Sequence, residues 1–332
     1  MLQRFILLWL VLSSAIAWGW PELTDAADPF VAAGNTQGVL SGLVILTMFC
    51  VGTALPIEEV NQLRKRWATV LAGTAVQYIT MPLLAWGVVS VLSPDPGTAA
   101  GILIVGCVPG AMASNVLTLT ARGNVSYSVS LTTAATLLSP IVVPLTLWLT
   151  IDSSGFDGVA AIKTMVQFVV APVVVGHLCS RRSTQARRIA KSAAGSVANL
   201  AILAIIAIIV AKQRANISQT TVALLGGLAV INVCGYLAGY LSAATFGSPE
   251  KMRRALTLEV GMQNAGTGVV LAQKLFPEDS AALVPCALYT FGCMLTGTIL
   301  ATFWHLRPPG DEGGSESADN AADSANDNLS QS

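Results

Sequence analysis

The chain is organised around apolar stretches about as long as a bilayer is thick. Ten of them, near 3–20, 37–56, 67–92, 98–121, 126–151, 158–180, 193–211, 220–245, 252–276 and 282–305, carry very little charge. Crossing about 30 Å of hydrocarbon takes roughly 20 helical residues, and in lipid a helix lets such a segment satisfy its own backbone hydrogen bonds. Composition agrees, with 53% of the residues hydrophobic and 11% charged, against roughly 25% charged in soluble domains. An all-α, multi-pass membrane protein is expected.

The charges are segregated along the chain. Of the 18 Lys and Arg residues, 14 gather at one set of span ends, including Arg4, Arg64, Lys65, Arg66, Arg122, Arg181, Lys251, Arg254 and Arg307. The other set holds Lys163, Lys212, Arg214 and Lys274, together with acidic residues such as Asp28, Asp95 and Asp157. Because basic loops stay in the cytoplasm, both termini are expected there, in a cell membrane (the inner one, in a bacterium). Arg4 followed by an apolar run and Ala15-Ile16-Ala17 also has the form of a cleavable secretory signal; its removal would leave nine spans. A net charge of zero supplies no field for nucleic acid, and no obligatory protein partner is evident.

Ten spans divide into five and five, residues 1–151 and 156–305. Five is odd, so a duplicated unit enters the membrane upside down the second time and makes inverted repeats. The fourth span of each half is interrupted at a corresponding place. The first reads Gly106-Cys-Val-Pro-Gly-Ala-Met-Ala-Ser-Asn115 and the second Glu259-Val-Gly-Met-Gln-Asn-Ala-Gly266. Such paired interruptions point to broken helices and a site between them. After Pro308-Pro-Gly310 the tail, residues 308–332, holds six acidic residues and no basic one, and is expected to be a disordered, cytoplasmic acidic tail.

Chemistry concentrates at these interruptions. Pro109 removes a backbone donor and blocks the preceding turn, Gly110 eases the distortion, and Ser114 and Asn115 add oxygens. Glu259 puts a carboxylate into an apolar span, at a cost of several kcal/mol unless it is neutralised. Gly261 loosens that helix, and Gln263 and Asn264 add amide oxygens beside it. Carboxylate, amide, hydroxyl and freed carbonyl oxygens together suit a hard monovalent cation. The plainer readings are a proline kink, and a neutral glutamic acid bonded to a neighbouring helix. Ser128, Thr132 and Thr136 recur every four residues and share a helix face; such hydroxyls also bond back to their own helix or join neighbours. Gln77 and Asn232 are single polar groups in apolar stretches. Trp18, Trp20, Trp67 and Trp304 read as interfacial anchors.

Enzymatic signals are missing from the sequence. The six cysteines lie in apolar runs without a C-x-x-C pair, which argues against zinc and thiol redox chemistry. No Walker-type phosphate loop occurs, and neither His177 nor His305 accompanies a nucleophile motif. The chain is not expected to be an enzyme or to hold an organic cofactor.

The stretch Pro109-Gly-Ala-Met-Ala-Ser-Asn115, followed by Ala121-Arg-Gly-Asn-Val-Ser-Tyr-Ser128 and Leu137-Leu-Ser-Pro140, resembles the bile acid:sodium symporter family. Ala255-Leu-Thr-Leu-Glu-Val-Gly-Met-Gln-Asn264 and Leu300-Ala-Thr-Phe-Trp304 resemble it too. The resemblance, over about 37–305, implies a panel domain (spans one, two, six and seven) and a core domain (three to five and eight to ten). Within the core, helices four and nine are broken and cross at the midplane. It implies two Na+ ions. One would be held by Ser114, Asn115, Ser128, Thr132 and Glu259, the other by Gln77, Glu259, Gln263 and the carbonyls of Val260 and Met262. A small organic anion, a carboxylate or sulfonate, would bind between panel and core near Met112 and Asn264. Family members often carry Gly and Thr where this chain has Ala111 and Met112, which bears on substrate rather than on sodium. The expected function is therefore a sodium-coupled symporter working by alternating access. The alternatives are a proton-coupled carrier in which Glu259 titrates, and a membrane receptor that binds its ligand without moving it.

Overall fold

The computed structural model describes residues 6–24, 28–31, 36–54, 66–151, 157–182, 184–218, 220–277, 280–307 and 309. The expected acidic tail lies outside the described residues, as do Arg4, Arg64 and Lys65 of the charge pattern. Among the described residues thirteen α-helices follow one another: α1 (Ile6–Leu23), α2 (Thr36–Ala54), α3 (Trp67–Leu92), α4 (Pro96–Cys107), α5 (Ala113–Thr120), α6 (Val125–Thr150), α7 (Gly158–Arg181), α8 (Thr184–Lys212), α9 (Arg214–Ser218), α10 (Val222–Thr245), α11 (Glu250–Gly261), α12 (Ala265–Leu275) and α13 (Leu283–Leu306). A π turn at Val166–Val170 interrupts the regular winding of α7. There is no strand among the described residues.

Among the described residues seven helices, α2, α3, α6, α7, α8, α10 and α13, are long and apolar enough to cross a membrane. The stretches expected at 98–121 and 252–276 are each two shorter helices, α4 with α5 and α11 with α12. Local chemistry sets several of the ends. Asp95 and Asp157 accept backbone N–H bonds at the starts of α4 and α7, and Asn124 does the same for α6, satisfying donors that a helix start leaves over.

The helices pack in two groups. α2 lies between α7 and α8, with α1 on the far side of α8. In the second group α10 packs against α3 and α11, α6 against α3 and α11, and α13 against α4, α5, α10 and α12. Large apolar side chains point outward, among them Leu83, Ile141 and Trp148, each more than half exposed. That is the pattern of helices with lipid as their outer solvent. Leu10 and Ala17 of α1 are buried, and Arg214 binds the carbonyls of Ala17 and Trp18, so α1 is packed into the bundle.

Two expectations from the sequence are corrected. Trp304 is no interfacial anchor: it is buried, stacked near Tyr240 and covered by the Arg254 guanidinium. Arg254, counted among the loop charges, is itself buried, where it donates to the carbonyls of Ala121, Trp304 and Arg307 and pairs with Glu250. A guanidinium has five donors, and here four of them are spent on the ends of three helices.

Candidate functional site

The two interruptions face each other. α4 ends at Cys107 and α5 begins at Ala113, with Pro109 and Gly110 between them. α11 runs through Gly261, its last helical residue, and α12 begins at Ala265. The Ala111 N–H donates to the Met262 carbonyl at 2.8 Å, and the Asn264 N–H to the Pro109 carbonyl at 2.9 Å. Gly110 and Gln263 thereby form an isolated antiparallel bridge. Backbone groups freed by each break are satisfied by the other, which is how non-helical backbone persists away from water.

Glu259 sits in the last turn of α11, 1% exposed. Its Oε2 accepts from the Ser114 hydroxyl at 2.6 Å and the Thr132 hydroxyl at 2.8 Å. Its Oε1 is buried with no hydrogen-bond partner. The Thr132 hydroxyl also lies 3.0 Å from the Ser128 carbonyl and 3.4 Å from Asn115 Oδ1. One hydroxyl has one proton to give, so three acceptors compete for it. Oxygen lone pairs outnumber donors here, around a carboxylate that water does not reach. A cation is the chemical complement of such a place.

The structure thus brings Ser114, Asn115, Ser128, Thr132 and Glu259 together. Thr118 joins them through a 3.3 Å hydroxyl contact with Ser128. Thr136, on the same face of α6, bonds back to the Thr132 carbonyl at 2.7 Å and so stays with its own helix.

A second cluster adjoins the first. Gln77 on α3 donates to Gln263 Oε1 at 3.2 Å, and Gln263 donates to the Val260 carbonyl at 3.2 Å. Gln77 Oε1 is buried and unpartnered. The Met262 carbonyl already accepts from Ala111, which leaves it one lone pair. Here too an acceptor oxygen, buried beside freed backbone, is left over.

Met112 and Asn264 line a small cavity of about 50 Å³ between the crossing and α1, α2 and α8. Asn264 caps α12 by accepting from the Thr267 N–H at 3.2 Å, so only part of its amide faces outward. A larger space of about 570 Å³ opens towards the helix ends, lined by Gln37, Leu40, Ile209, Lys212, Arg214 and Gln273. Ile205, which lines the smaller cavity, lies one turn from Ile209 on α8.

Sequence reasoning gave Asn232 little weight and passed over Tyr289. Both donate to the Gly261 carbonyl, each at 2.8 Å. The only signal for Asn232 was a lone amide in an apolar span. Tyr289 carried none, because a tyrosine in such a chain reads first as an interfacial residue.

An all-helical bundle with long apolar spans, and two broken helices paired around a buried acid, defines a membrane transporter rather than an enzyme. Comparison with known proteins agrees. Residues 42–220 match the Sodium Bile acid symporter family, and the chain belongs to that family. It is 30% identical over 318 residues to the uncharacterized sodium-dependent transporter YocS of Bacillus subtilis, covering 94% of each chain. It is also 30% identical to "Probable sodium/metabolite cotransporter BASS1, chloroplastic" of Arabidopsis thaliana, over 81% of this chain and 67% of that one. With the human ileal sodium/bile acid cotransporter the identity is 30%, over 73% of this chain and 71% of that one.

Proposed function

We propose that the protein is a symporter that uses sodium entry to drive uptake of a small organic anion. The observation that carries this reading is the surplus of acceptor oxygens around Glu259: a buried, unpartnered carboxylate oxygen, two buried hydroxyls and the amide oxygen of half-buried Asn115. One Na+ is assigned to Ser114, Asn115, Ser128, Thr132 and Glu259. A second is assigned to Gln77, Glu259, Gln263 and the carbonyls of Val260 and Met262. The names of the relatives, sodium-dependent transporter and sodium/bile acid cotransporter, support the choice of ion.

Counting α1 and the two interrupted pairs with the seven long helices gives ten spans, read as two inverted repeats, 1–151 and 156–305. The α1, α2, α7 and α8 group is the panel, and the rest is the core. The basic-rich ends face the cytoplasm, as do both termini. Half-helix N-termini at Ala113 and Ala265 present positive dipole ends to an anion, while the ends of α4 and α11 present carbonyls to cations. The anion binds in the crevice beside Met112 and Asn264. That cavity, about 50 Å³, is far below the roughly 300–1,000 Å³ of a ligand pocket. Panel and core must therefore move apart to admit substrate, and that movement is alternating access. Two sodium ions with one monoanion carry one net charge inward, worth about 2.3 kcal/mol per 100 mV.

Uptake of a labelled organic anion panel, cholate included, into proteoliposomes tests the reading. An inward sodium gradient should drive accumulation and an equal potassium gradient should not. Accumulation driven by a pH gradient without sodium would instead make Glu259 a proton carrier.

A further inference from the structure

The buried polar group that sodium binding leaves unused lies on the other side of the α11 break. Asn232 on α10 and Tyr289 on α13, each 2% exposed, both donate to the carbonyl of Gly261 at 2.8 Å. The Gly261 carbonyl can only accept, so the Asn232 amide turns its Nδ2 to it, and Oδ1 then lies 2.7 Å from the Thr296 hydroxyl. Thr296 in turn lies 3.2 Å from the Tyr236 hydroxyl, and the Tyr236 ring packs against Gly261 so closely that an added Cβ would lie 2.2 Å from Cδ1. Three side chains from two helices therefore meet at one peptide group, and Thr296 joins two of them behind it.

That peptide sits where helix gives way to extended chain: Met262 has φ −108° and ψ 105°. In extended chain successive residues alternate in direction. Anchoring the Gly261 carbonyl towards α10 and α13 leaves the Met262 carbonyl on the opposite side, where it meets Ala111. Both lone pairs of one carbonyl are occupied, more than a helix end needs for solvation alone.

We propose that Asn232 and Tyr289 are positioning residues for the sodium site formed by Gln77, Glu259, Gln263 and the Val260 and Met262 carbonyls. They clamp the Gly261 peptide so that its neighbours keep their aim at the ion. They touch neither ion nor substrate. The inference rests on the sodium reading above.

The test measures thermal unfolding of purified protein in lipid nanodiscs, titrated with sodium chloride against potassium chloride at constant ionic strength. Compared are wild type, Y289F, N232A, the double variant, and T298A, whose hydroxyl bonds only back along its own helix to Met294. Losing one hydrogen bond to the carbonyl should raise the half-saturating sodium concentration roughly three- to tenfold, and losing both should raise it further. T298A should leave it unchanged. A merely structural role would lower the unfolding temperature equally in both salts without moving half-saturation, and that result overturns the inference. If N232A fails to insert, Y289F, which removes a single oxygen, decides the matter. Wild type indifferent to sodium would overturn the sodium reading itself, and this inference with it.

Discussion

Gly110 lies against the carboxylate of Glu259: a Cβ built on Gly110 would stand 2.1 Å from Oε1, the oxygen that has no hydrogen-bond partner. The backbone between α4 and α5 therefore covers the acid of α11. Gly110→Ala must push the carboxylate aside or part the two bridged chain segments, and overpacking of this kind costs about 1–3 kcal/mol. The expected outcome is a protein that still inserts, unfolds at a lower temperature and loses its sodium-dependent stabilisation. Thermal unfolding in sodium and in potassium reads both effects.

Glu259→Gln keeps the shape and removes the charge. Stabilisation by sodium and sodium-driven uptake should both disappear, while expression and insertion stay at wild-type levels. A sodium response retained in this variant would place the ion elsewhere.

The hydroxyls of Ser114 on α5 and Thr132 on α6 reach Glu259, whereas that of Thr136, one turn along α6 from Thr132, does not. Hydrogen bonds to charged groups contribute about 1.5–3 kcal/mol, so Ser114→Ala or Thr132→Ala should weaken sodium binding roughly tenfold or more. Thr136→Ala should change it little, because that hydroxyl is committed to the Thr132 carbonyl. Sodium titrations of the three variants side by side give the comparison.

Gln77 contributes to the second cluster alone. Gln77→Ala should remove one ion and leave the Ser114–Thr132 pocket intact. The dependence of uptake on sodium should then change from sigmoidal towards hyperbolic, with the Hill coefficient falling from near two towards one. An unchanged coefficient would mean that Gln77 holds no ion.

Met112 lines the small cavity, and its one contact with the Glu259 cluster is through its backbone carbonyl, which accepts from the Asn115 N–H at 3.1 Å and does not depend on the side chain. Met112→Thr restores a hydroxyl common in the family, and should alter which anions are transported while half-saturating sodium stays within about twofold. Competition among carboxylates and sulfonates in the uptake assay measures the change.

Much of this was legible from composition and local pattern. An apolar run of bilayer length can satisfy its backbone only as a helix, so the long spans followed from hydropathy alone. Proline alone does not break these helices, since Pro82 lies inside α3 and Pro140 and Pro144 inside α6; at Pro109 a glycine follows at once, and there the chain parts into α4 and α5. Glu259 stood out because an acid in an apolar span costs free energy wherever it points.

What the tertiary structure decided is which groups meet. Ser128, Thr132 and Thr136 are equivalent by spacing, yet Thr132 reaches Glu259 while Thr136 bonds back into its own helix. Arg254 and Trp304 looked like surface residues, and packing buried one over the other. Asn232 and Tyr289 are 57 residues apart and converge on Gly261 only because α10 and α13 pack beside the break. Span and break depend on short-range backbone chemistry, which a linear sequence carries. Pairing of side chains across the bundle depends on how helices rotate and cross, and no periodicity along one segment encodes that.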